Sequence, residues 1–144
     1  MPFVEANASF VAKGDEVPAL VDFVADQGGR AGLPETRLAH LRIAVEEIAL
    51  NICNHAYGGS AGTLEIGVRG DAERFVTELS DEGPPFDPSA APAPDVNATV
   101  RGRPIGGLGV LLVHRLMDEF RYRRDGGRNV VTLVVDQRPR EQTP

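Results

Sequence analysis

"RIAVEEIALNICNHAYGG", Arg42 to Gly59, decides how this chain is organised. At about 100° per residue, Leu38, Leu41, Val45, Ile48 and Ile52 fall on one stripe with the three-and-four spacing of a helix that faces a core. Opposite them His40, Glu47, Asn51 and Asn54 share a narrow arc, flanked by Ile43, Ala44 and Leu50 rather than by lysines and arginines. Asparagine inside a helix loses several tenths of a kcal/mol relative to alanine, because its amide competes with the backbone for hydrogen bonds. Its presence here therefore asks for a chemical reason. A carboxylate one turn before a carboxamide sets oxygens about 6 Å apart on one face, which suits a water and a hard, oxygen-seeking cation such as magnesium.

Working outward, this helix starts near "LPETRLAHL", with Pro34 suited to its first turn, and is expected to end at Gly58 and Gly59. Upstream, an extended "FVEANASFVAKG" leads into "DEVPALVDFVADQGG", where Val17, Leu20, Val21 and Val24 predict a helix that stops at Gly28 and Gly29. Downstream, "TLEIGVRG" and "RFVTELSD" alternate apolar and polar residues around a short "DAE" connection, an antiparallel hairpin with Asp81 at the end of its second strand. From Pro84 to Pro104 the chain is rich in proline and alanine and has no strand or helix period. Segments of this kind inside domains tend to be lids or binding loops. "IGGLGVLLVHRLMDEF" then opens a helix expected to pack Leu108, Leu112 and Leu116, with Leu111 beside them. "FRYRR", the turn "DGGRN" and "VVTLVV" form a second hairpin, and the terminal "RPREQTP" is expected to fray.

The 144 residues, 42% of them hydrophobic, suit one domain with a real core. A net charge of -6 without any block of lysine and arginine argues against a nucleic-acid role driven by phosphate neutralisation. The single Cys53 rules out an internal disulfide and fits a reducing compartment. With neither a signal segment nor an apolar run of membrane-spanning length, the expectation is a soluble, cytoplasmic protein.

Three clusters carry chemistry. Glu47 with Asn51 is the first; taken alone, it is also compatible with a surface glutamate beside a satisfied core amide. "DEGPPFDP", Asp81 to Pro88, is ordinary turn chemistry, yet a carboxylate at a strand end can accept from an exocyclic amine and Gly83 lets a flat ring approach the backbone. "GGLG", Gly106 to Gly109, frees the backbone at a helix start to wrap an anion. It is neither a Walker loop nor G-x-G-x-x-G, so a standard P-loop enzyme is excluded.

Together and in this order the clusters resemble the ATP-binding domain shared by gyrase B, histidine kinases and the mismatch-repair ATPases. The narrower resemblance is to bacterial anti-sigma factor serine/threonine kinases, through N-x-x-N-H-A-Y, D-x-G-x-x-F-D-P and G-L-G, which span nearly the whole chain. The resemblance implies an α+β fold, a two-layer α/β sandwich whose mixed, mostly antiparallel sheet is covered on one face by helices. It implies a single domain over residues 1–144 with a lid loop at about 84–105. It makes Glu47 the catalytic base and Asn51 the magnesium ligand; Asp81 recognises the adenine amino group, Gly83 packs on the ring, Gly107 and Gly109 meet the phosphates, and Thr132 reaches adenine through water. Ile105 separates the glycine loop from Arg101 and Arg103, which are candidates for phosphate contact. The implied cofactors are ATP and Mg2+, and the implied partners are a sigma factor and an anti-sigma factor antagonist. A homodimer is a further option; direct nucleic-acid or membrane binding is not implied. The implied activity is phosphorylation of the antagonist with a switch of partners, the alternative being a non-catalytic, ATP-gated protein-binding module. A complete histidine kinase is not expected, since no phosphoacceptor helix precedes the clusters.

Overall fold

The computed structural model describes residues 3–57, 62–88, 99–100, 103–104 and 108–137, with 99–100, 103–104 and 108 described as backbone alone. Its strands are β1 (Val4–Val11), β2 (Thr63–Gly70), β3 (Arg74–Asp81), β4 (Thr99–Val100), β5 (Arg103–Pro104), β6 (Glu119–Asp125) and β7 (Arg128–Asp136). Its helices are α1 (Val17–Arg30), α2 (Glu35–His55) and α3 (Leu108–Leu116). The main sheet has the order β1-β2-β3-β7-β6, with every neighbouring pair antiparallel. All three helices lie on one face of it in matching order: α1 against β1 and β2, α2 against β3 and β7, α3 against β6. This is the expected α+β sandwich, with a sheet that is antiparallel throughout its described strands where a mixed one was expected.

Period-two alternation divides each strand between that covered face and an open one. Ladder register aligns Phe10, Leu64 and Asp81, then Ala8, Ile66, Leu79, Val131 and Tyr122, then Ala6, Val68, Thr77, Leu133 and Phe120. Most of these are buried under Leu20, Val24, Leu41, Val45, Ile48 and Val113 from the helices. One row is different. At the end of β3, Asp81 pairs with Asn129, which pairs with Arg124, so three polar residues replace the core at one edge of the covered face.

The turns follow local chemistry. Gly126 and Gly127 join β6 to β7 as a two-residue loop, and both carry the positive φ that such a turn demands (55° and 85°). Between β2 and β3, Asp71 Oδ1 accepts the backbone N–H groups of Glu73 and Arg74 at 2.8 and 3.0 Å, which holds its carboxyl below the usual range.

Two helix expectations are corrected. α1 does not stop at Gly28 and Gly29 but continues to Arg30; the chain turns at Gly32, whose φ is 96°. Gly28 is retained inside the helix because a Cβ there would come within 3.0 Å of the Leu33 and Leu38 side chains. On α3 the buried residues are Val113 and, just beyond the helix, Met117, while Leu111 and Leu112 are about two-fifths exposed. Leu116 packs against the core as expected, but Val113 takes the place of Leu112, because the contact surface is set by α2 and β6; the Leu108 side chain lies outside the described residues. The short β4–β5 ladder was not foreseen in the proline-rich segment. Residues 89–98, 101 and 102 of that segment, the Gly58–Gly59 stop and the tail 138–144 lie outside the described residues.

Candidate nucleotide site

The polar arc on α2 is shared out among different neighbours. Asn51 lines a narrow cleft between α2 and the sheet, with Ile48, Ile52, His55 and Ala56 from α2 and Asp81, Asn129 and Val131 from the strands. Glu47, one turn earlier and half-buried, lies instead against the first turn of α3: a Cβ on Gly109 would overlap its carboxylate. His40 has its Nδ1 buried without a partner among the described residues, and Asn54 is exposed. Cys53 is half-buried, and burial pushes its thiol up, with Asp15 adding to the rise against a backbone hydrogen bond.

Asp81 is 3% exposed and its geometry is specific. Oδ1 accepts the Gly83 N–H at 2.8 Å and the Asn129 Nδ2 at 2.9 Å. Both donors therefore satisfy one oxygen. Gly83 is itself buried on the end of α2, where a Cβ would stand 2.7 Å from Ala56 Cα. Tyr57 locks this corner: its hydroxyl donates to Thr63 O at 2.6 Å and accepts the Glu82 N–H at 2.9 Å. At the mouth of the cleft Phe86 stacks on His55 with ring centroids 5.0 Å apart.

One assignment fails geometrically. Thr132 is opposite in parity to Asn129 and Val131, so it faces away from the cleft, on the open side of the sheet, where its hydroxyl lies 3.4 Å from Glu78 Oε2. The strand residue beside Asp81 is Asn129, which sequence reasoning missed. Its signal was parity: in "NVVTLVV" the asparagine, and not the threonine, shares a face with Val131, Leu133 and Val135. Arg124, Tyr122, His55 and Phe86 likewise join the site through register and packing. Gly107 and Arg101 lie outside the described residues, and Arg103 is placed only as part of β5.

The cleft thus has an acidic hydrogen-bond acceptor at its base and a carboxamide on its wall, with Glu47 beyond it against Gly109 of α3. A family model described as "Histidine kinase-like ATPase domain" matches residues 10–135. The chain belongs to this family. As a histidine kinase-like ATPase domain it is a nucleotide-binding chain. The serine-protein kinase RsbW of Bacillus cereus is 28% identical over 140 residues, covering 94% of this chain and 88% of that protein. The same protein of Bacillus mycoides is 27% identical with the same coverage. The crystal structure of the RsbU and RsbW domains of a Mycobacterium tuberculosis protein superposes with a TM-score of 0.62 at 15% identity, over 92% of this chain and 32% of that longer one; the likeness is one of fold.

Gly109 and Gly83 of this histidine kinase-like ATPase domain are expected to respond differently to a methyl group. In Gly109→Ala the obstacle is the end of a flexible side chain, and alanine is the better helix former by roughly 0.5–1 kcal/mol. The variant should melt near wild type while its Glu47 carboxylate is displaced. In Gly83→Ala the obstacle is Ala56 backbone, which cannot turn aside, and overpacking of this kind costs about 1–3 kcal/mol. Thermal melts of both variants check the contrast; equal losses would contradict it.

Proposed function

We propose that this chain is an ATP-dependent protein serine/threonine kinase that acts as an anti-sigma regulatory factor, phosphorylating an antagonist protein and exchanging partners as it does so. The observation that carries the reading is the joint placement of Asn51 and Asp81 in one cleft, with Glu47 one helical turn beyond at the start of α3. The relatives named serine-protein kinase support it.

Asp81 offers its second carboxylate oxygen to the exocyclic amine of adenine, and Gly83, packed on Ala56, holds the first oxygen through its N–H. Asn51 is the group on this wall that would hold Mg2+. No cluster of three or more histidine, cysteine or acidic residues suited to a metal occurs among the described residues. That donor set fits magnesium, which keeps several waters and takes one or two protein ligands with phosphate oxygens. Mg-ATP, when bound, supplies the transferable phosphoryl group and the countercharge for it. Glu47 orients the incoming serine or threonine hydroxyl and takes its proton as the oxygen attacks the γ-phosphorus, whose bond to the β,γ-bridging oxygen breaks so that ADP leaves. Gly109 places the positive end of the α3 dipole, worth about half an elementary charge, where negative charge accumulates. The described residues carry no helix long and apolar enough to cross a membrane, and the cytoplasmic location is part of the proposal.

Two measurements test it. Millimolar Mg-ATP should raise the melting temperature, with a stabilisation near 2.7 kcal/mol at about 100 times the dissociation constant. Radiolabelled ATP should then transfer phosphate to a candidate antagonist encoded beside this gene. An unchanged melting temperature rejects the nucleotide site. ATP binding that alters partner affinity without transfer replaces the kinase by a nucleotide-gated binding module.

A further inference from the structure

The densest hydrogen bonding at the cleft belongs to Asn129, a residue that no motif singles out. It is 4% exposed and its two amide ends face opposite kinds of partner. Nδ2 donates to Asp81 Oδ1 and Pro84 O, each at 2.9 Å, and more weakly to Gly83 O at 3.4 Å. Oδ1 accepts from the Tyr122 hydroxyl at 2.6 Å and from the Phe86 N–H and Arg124 Nη1, each at 3.2 Å. Flipping the amide would set its oxygen against a carboxylate and two carbonyls, and its hydrogens against three donors, so the network fixes its orientation. Arg124 clamps the same corner by donating to Gly83 O at 2.7 Å.

We propose that Asn129 is the positioning residue of the base pocket, fixing the rotation of the Asp81 carboxylate so that the site takes a 6-amino purine and rejects a 6-oxo purine. The inference rests on the nucleotide reading above. With Oδ1 saturated by the Asn129 amide and the Gly83 N–H, only Oδ2 is presented to a ligand, and it can only accept. An exocyclic amine satisfies it; a ring carbonyl would bring two acceptors together. Sites built to pair one specific polar group discriminate strongly, because the wrong ligand leaves a buried group unpaired. The same amide holds Pro84 and Phe86, so the acceptor and the backbone that faces the ring are positioned by one side chain.

The test uses the whole chain: calorimetric titration of wild type, Asn129→Ala and Asn129→Asp with Mg-ATP and Mg-GTP, with a melt of each protein. Wild type should prefer ATP. Asn129→Ala should lose ATP affinity by roughly tenfold with GTP little changed, collapsing the discrimination. Asn129→Asp keeps the shape but sets two carboxylates in contact. At about pH 8 they repel and ATP affinity falls; toward about pH 5.5 one shared proton again supplies a donor to Asp81, and affinity should recover. His55 and Arg124 are common to both proteins, so the wild-type pH profile is the baseline.

A residue that merely held the turn would lower the melting temperature without changing the ATP-to-GTP ratio, and would give Asn129→Asp a profile parallel to wild type. Either result overturns the proposal. Wild type binding neither nucleotide overturns the nucleotide reading, and this inference with it.

Discussion

Glu47→Ala should lower phosphoryl transfer by roughly 10²–10⁴-fold, the usual contribution of a positioned general base, while Mg-ATP affinity stays within about threefold of wild type. The separation follows from placement. Glu47 lies against the first turn of α3, whereas the cleft walls are supplied by Asn51, Asp81 and Asn129. Glu47→Gln preserves the contact with Gly109 but cannot take a proton, so it should lose transfer as fully as the alanine variant. Asn51→Ala should weaken Mg-ATP binding by roughly tenfold and reduce transfer with it. Calorimetry paired with the radiolabel assay reads both quantities in each variant. Transfer by Glu47→Gln at the wild-type rate would remove Glu47 from proton transfer.

Arg37→Ala should destabilise the fold by about 3–5 kcal/mol, the range for breaking one side of a buried ion pair, and lower the melting temperature by about 10 °C. Arg37 Nη2 donates to Asp118 Oδ2, with the two side chains only 12% and 8% exposed. The same carboxylate oxygen accepts the Asp136 N–H at 2.8 Å, and Arg37 Nε donates to Asp136 O at 3.3 Å. The pair thus fastens the first turn of α2, the connection from α3 to β6 and the end of β7 at one point. Either single replacement removes a charge-assisted bond from a place water barely reaches. Exposed pairs such as Arg30–Asp26 and Arg42–Asp22 should each be worth under about 1 kcal/mol when removed. Chemical denaturation of the Arg37→Ala and Asp118→Ala variants tests this, and a loss as small as that of the surface pairs would refute it.

Local pattern alone fixed a good part of this molecule. The three-and-four spacing of Leu41, Val45, Ile48 and Ile52 determined α2, because a helix carries its own hydrogen bonds and needs only one apolar stripe to be read. Alternation determined both hairpins, and Asp81 falls at the end of its strand as its pattern required. The order of the clusters was enough to mark the family, since each motif owes its residue types to a local need: a helix face, a strand end, a helix start.

Tertiary structure decided which of those residues meet. His40, Glu47, Asn51 and Asn54 share one arc in the sequence, yet only Asn51 lines the cleft, because α3 packs over Glu47 and the remaining two face other surroundings. Thr132 and Asn129 are both polar residues on one strand, and choosing between them requires knowing which face of β7 lies toward α2. That choice is set by pairing register with β3, where a shift of one residue exchanges the two faces. Register depends on partners 48 positions away, as Asp81 and Asn129 are, and no local period encodes it. The Arg37–Asp118 pair is invisible for the same reason: its partners are 81 residues apart, and only the closed sandwich brings them into contact.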